Sequence, residues 1–121
     1  MPTIVIQLDP TQLDNPDADL RYRLPDLLVE RSNGLIQDDA YDYLGDKPLM
    51  AVFLETTDVA SALVHVLDVI NNVRLLENDL RKGTAIGVLQ EGRYVVVYPP
   101  DFAGEFLVTA NDDFLRFRPS P

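Results

Sequence analysis

At 121 residues with a net charge of −10, the chain has the length of one domain and a charge that repels phosphate. That charge excludes binding to nucleic acid through phosphates or to an anionic membrane surface, since both need clustered Lys and Arg. The absence of cysteine excludes disulfides, thiolate chemistry and sulfur-ligated zinc, and points to a reducing compartment.

The amino terminus has no basic region and no sustained apolar run, so no signal peptide is expected there. Apolar stretches such as Val95–Tyr98 fall far short of a membrane span, and a cytoplasmic location is the expectation. A composition of 46% hydrophobic and 25% charged residues suits an ordinary folded domain with its own core.

Thr3–Leu8 is β-branched and apolar at successive positions, which predicts a central first strand ending at Asp9-Pro10. Thr11–Asp19, rich in Asp, Asn and Pro, reads as a loop. Leu20–Ser32 is a helix candidate complicated by Pro25, which suits a first helical position; the helix is therefore placed at Pro25–Arg31, with room for a preceding turn over Asp17–Arg23. Leu24, Leu27, Leu28 and the stem of Arg31 would face the core, and Asn33-Gly34 would stop the helix. Leu35–Leu44 reads as an exposed strand or strand pair, Gly45–Pro48 as a turn, and Leu49–Glu55 as a second central strand.

Asp58–Val73 has the strongest helical period. Val59, Leu63, Val66, Leu67, Ile70 and Val73 form one apolar face, and Ser61, His65, Asp68 and Asn72 form the polar one. Thr57 or Asp58 would cap its start. Leu75–Gly83 reads as a polar connector. Ala85–Leu89 and Arg93–Tyr98 form a hairpin around Gln90-Glu91-Gly92, and Pro99-Pro100 ends it.

This divides the chain into a domain over 1–100 and a distinct segment over 101–121. The second segment holds four of the five Phe residues: Phe102, Phe106, Phe114 and Phe117. Phe106–Thr109 and Phe114–Arg118 have the spacing of a terminal hairpin; the segment either docks on the domain or engages something else. The order β-α-β-β-α-β-β predicts an α+β fold of ferredoxin-like type, a split β-α-β layout with two helices on one face of an antiparallel sheet.

Few residues carry recognisable chemistry. His65 is the only histidine, and Ser61 and Asp68 share its helix face. Side chains at adjacent positions of one helix point outward in parallel, whereas a hydrolytic triad draws on separate elements, so a solvated polar face is expected and no catalytic residue is assigned. Asp38, Asp39, Asp42 and Asp46 carry oxygen ligands for a hard cation, but their spacing does not match an EF-hand loop. No phosphate-binding glycine motif is present, and no cofactor or metal is assigned.

The acid is unevenly spread. Residues 1–60 hold 12 acids against 4 bases, a net of −8, and residues 61–121 hold 8 against 6, a net of −2. Within the acidic half, Tyr41-Asp42-Tyr43 flanked by Asp38, Asp39 and Asp46 combines aromatic contact area with carboxylates able to pair with Lys or Arg of a partner. These six residues form the candidate partner-binding site; the alternative is a strand whose Tyr residues pack inward. Asp14, Asp17 and Asp19 form a second acidic group.

The phrases Leu8-Asp9-Pro10, Asn15-Pro16-Asp17-Ala18-Asp19-Leu20-Arg21-Tyr22, Leu24-Pro25-Asp26-Leu27-Leu28, Asp38-Asp39-Ala40-Tyr41-Asp42-Tyr43 and Asn78-Asp79-Leu80 resemble those of small bacterial proteins. Such proteins are similar in size and element order to immunity proteins that neutralise the toxins of competing bacteria. The resemblance covers about residues 3–98 and carries over no binding residue. It implies a non-enzymatic inhibitor of a cognate toxin, and a basic toxin domain is the protein partner that the charge would attract. The alternative from another class is a small-molecule-sensing or regulatory module that homo-oligomerises through its sheet.

Overall fold

The computed structural model describes residues 3–15, 19–43, 49–75, 77–90 and 93–100, with the backbone alone for Pro10 and residues 39–43. Two helices and a five-stranded antiparallel sheet make an α+β fold. The sheet strands are β1 (Thr3–Leu8), β2 (Ile36–Tyr43), β3 (Met50–Thr56), β6 (Thr84–Gln90) and β7 (Arg93–Tyr98). The short pair β4 (Arg74–Leu75) and β5 (Asn78–Asp79) stands apart from them. Spatially the order is β2-β3-β1-β6-β7, and every pairing is antiparallel.

As the apolar run Ile4–Ile6 requires, β1 is central and flanked by β3 and β6. Its alternate residues Ile4, Ile6 and Leu8 stand in register with Leu54, Val52 and Met50 of β3, and Ile4 and Ile6 also with Val88 and Ile86 of β6. These residues form one continuous core with Leu20, Leu24 and Leu28 of α1 (Leu20–Arg31) and Ala62, Val66, Val69 and Ile70 of α2 (Val59–Asn72). Both helices therefore lie on one face of the sheet. Each fully buried Val, Leu or Ile side chain here stabilises the fold by about 1.5–3 kcal/mol.

Two boundaries differ from the sequence reading. Helix α1 starts at Leu20, five residues before Pro25, and runs through the proline without a break. An interior proline removes one helical hydrogen bond and costs about 3 kcal/mol or more. Burial of Leu20 and Leu24 ahead of it, together with Leu28 beyond it, offsets that cost. The helix ends as expected, with Asn33 (φ 54°) and Gly34 (φ 86°) both left-handed. Gly34 N–H donates to Val29 O at 3.0 Å and Asn33 N–H to Glu30 O at 3.2 Å, the paired bonds of a Schellman cap.

The second difference is Leu75–Gly83, which is more than a polar connector. It contains Leu75 of β4, all of β5 and a 3₁₀ turn over Leu80–Lys82, and it buries Asn78 and Leu80 completely. The Asn78 side chain accepts from Asn15 N–H at 2.7 Å and donates to Asn15 O at 2.8 Å. One amide thus satisfies both backbone groups of a loop residue 63 positions away.

The other face of the sheet carries an apolar patch beside the buried Gln7. Val5 stands in register with Phe53 and Gly87, and Gln7 with Ala51 and Ala85. Val5, Ala51 and Phe53 are fully buried, although both described helices belong to the opposite face.

Candidate functional site

The sheet order makes β2 an edge strand: β3 pairs with one side of it, and no other described strand pairs with the second. Five of the six candidate residues, Asp38, Asp39, Tyr41, Asp42 and Tyr43, lie on this strand, and Asp46 lies outside the described residues. The strand is kept at the edge by Ile36, which is buried in the core opposite Thr56, and by the Schellman turn that delivers the chain from α1.

A β-bulge between Asp38 and Ala40 changes what the spacing implied. In an unbroken strand residues 38, 40 and 42 would share one face. The register instead sets Asp38 against Leu54, Ala40 against Phe53 and Asp42 against Ala51. Asp38 therefore occupies the core-side row and Asp42 the opposite row, with Asp39 at the bulge. Tyr41 and Tyr43 pair with Val52 and Met50, in the core-side row. Asp38 is exposed. The acids spread over both rows and the bulge of a sheet edge, which an uninterrupted period of two does not reveal.

In the second acidic group the Asp14 carboxylate is tied to basic side chains of the chain itself. Asp14 faces Lys82 Nζ at 3.5 Å and Arg74 Nη2 at 4.0 Å. Asp19 begins α1, its carbonyl accepting from Tyr22 and Arg23 N–H at 3.0 and 2.9 Å. Asp17 lies outside the described residues.

The polar face of α2 is likewise committed. Asp58 caps the helix by accepting from Ser61 N–H at 3.2 Å and from the Ser61 hydroxyl at 2.8 Å. The Ser61 hydroxyl bond, then its amide bond, hold the Asp58 carboxyl below the usual range. Asp68 receives Arg31 Nη1 at 3.3 Å, joining the two helices, and the Asn72 amide at 2.8 Å. His65 is half-buried between them. Ser61 and Asp68 thus serve a cap and a helix-to-helix ion pair, and the structure does not assemble them with His65 into a relay.

Two clusters escaped the sequence reading. Arg81 donates to Asp79 from Nε at 2.9 Å and from Nη2 at 2.8 Å, and this bond holds the Asp79 carboxyl down to about 2. The Asn78–Asn15 clamp lies one residue away. The only local signal for either was the Asn-Asp pair in a segment otherwise read as linker. A groove of about 280 Å³ between α1 and β4 is lined by Arg23, Asp26, Leu27, Glu30 and Leu75. Among the described residues no group of three or more His, Asp or Glu has the geometry of a metal site. No described helix is long and apolar enough to cross a membrane. The chain matches no family model, no curated protein and no solved structure.

Proposed function

We propose that the chain is a non-enzymatic protein-binding module, an immunity-type inhibitor that meets a basic toxin domain along the acidic edge of its sheet. One observation carries this reading: the acid-rich segment is the edge strand β2, bounded on one side by β3 and by no described strand on the other. Asp14, Asp58, Asp68 and Asp79, on other described elements, engage Lys, Arg or helix N–H groups of the chain itself. A bulge and charged residues on an edge disfavour strand addition. The contact is therefore one of charge and side-chain complementarity.

The order β2-β3-β1-β6, with α1 and α2 crossing over one face, supports a ferredoxin-like layout to which β7 adds a fifth strand. A binding role in the cytoplasm accords with the absence of cysteine.

The test is charge reversal of Asp38, Asp39 and Asp42 to Lys. Against a basic toxin domain encoded beside this chain, the triple variant should bind about tenfold or more weaker at low salt, mainly through a slower association rate. Its thermal midpoint should stay close to that of the parent. Equal affinity of parent and variant at low salt removes β2 as the binding edge.

A further inference from the structure

The second face of the sheet presents a contradiction within the described elements. Val5, Ala51 and Phe53 are 0% exposed and Ala85 is 3% exposed, yet α1 and α2 both pack on the other side. These four side chains form a contiguous patch across β3, β1 and β6 with Gly87 and with Gln7, a buried polar residue 6% exposed that stands between Ala51 and Ala85. A patch of small residues around one large ring is shaped to receive side chains from above.

The occupant is indicated by where the described chain stops. It stops at Pro100, two residues past the edge strand β7, so the following residues start at a border of this face. Five strands at about 4.8 Å spacing span roughly 20 Å, whereas 21 residues reach about 70 Å when extended. Segment 101–121 can therefore cross the whole sheet. It carries Phe102, Phe106, Phe114 and Phe117, each with a large apolar area to bury. The remaining segments outside the description are at most five residues long, and those between strands are anchored at both ends.

We propose that the Phe-rich segment 101–121 docks on this second face of its own chain and completes the fold as a third layer, shielding Val5, Ala51 and Phe53. The sheet is then covered on both faces, and β2 remains as the accessible acidic edge.

The absence of native cysteine makes thiol protection a direct test in the full chain. The substitution Ala51→Cys places a reporter thiol on the second face, and Ala62→Cys places one in the helix-side core, where Ala62 is also fully buried. Both thiols should resist an aromatic disulfide reagent in the otherwise unaltered chain. Replacing Phe102, Phe106, Phe114 and Phe117 by Ser should raise the rate of the A51C thiol about a hundredfold or more and leave the A62C thiol protected. An unchanged rate for the A51C thiol overturns the proposal. Protection that falls on dilution also overturns it, because the cover is then a second copy.

Should the fourfold variant unfold, a benzophenone amino acid at position 106 of the otherwise unaltered chain decides the matter. Cross-links within one chain to β1, β3 or β6 support the docking. Cross-links to the helices, cross-links between chains, or none overturn it.

Discussion

Asn78 shows how much a single buried amide can hold. It has no exposed surface, and its side chain makes two hydrogen bonds to the backbone of Asn15. Asn78→Ala removes both bonds to the half-buried Asn15, and at about 0.5–1.5 kcal/mol for each bond a loss of about 1–3 kcal/mol is expected from urea denaturation. Asn78→Asp keeps the acceptor but sets an oxygen against the Asn15 carbonyl, and should be no better. Its neighbour Asp79 gives the fold a pH signature. Arg81 holds the folded carboxyl near 2 against an ordinary 3.8, so the unfolded chain binds the proton more tightly. The stabilisation is complete above pH 3.8 and is lost as pH falls toward 2. Urea midpoints measured between about pH 5 and pH 2 should fall for the parent, and fall less steeply for Asp79→Asn. The sequence singled out Asn78-Asp79-Leu80 only as a phrase of the resemblance and gave neither residue a structural role, because an Asn-Asp pair in a polar segment is also what a surface loop looks like. Their partners are distant or depend on local turn geometry.

At the scale of elements, periodicity found what repeats and missed what does not. Strand β1 and helix α2 emerged close to their observed bounds, because runs of apolar residues at spacings of about two or 3.6 follow directly from burial of one face. Helix α1 was cut short at Pro25. The local cost of an interior proline was legible, and the tertiary burial of Leu20 and Leu24 that offsets it was not. The junctions are tighter than a linker reading implies. Asp9 N–H donates to Gly83 O at 2.8 Å, which draws the exit of β1 onto the entry of β6. A Cβ at Gly83 would lie 2.7 Å from the Asp9 carbonyl oxygen, a contact that only backbone movement can relieve. Gly83→Ala should cost about 1–3 kcal/mol in denaturant unfolding. Unchanged stability would show that the two junctions separate freely.

For the whole molecule, charge and layering decide how the protein meets a partner. The net of −8 in residues 1–60 against −2 in the remainder is a property of composition, and it projects a field toward basic partners whatever the fold. Association in the charge-reversal experiment should accordingly weaken with salt in the parent and lose that sensitivity in the variant. By itself the sequence determined the α+β class, the central place of β1, the apolar face of α2, the hairpin of β6 and β7, and the acidic bias of the first half. Each follows from local pattern or from counting. Only the tertiary structure decided that β2 is an edge, that a bulge splits Asp38 and Asp42 between two rows, and that Asp14 and Asp68 are neutralised from distant positions. It also showed that Val5, Ala51 and Phe53 are buried on the face that the helices do not cover. These facts depend on which segments become neighbours in space, and the pairing of distant residues leaves no period in the chain.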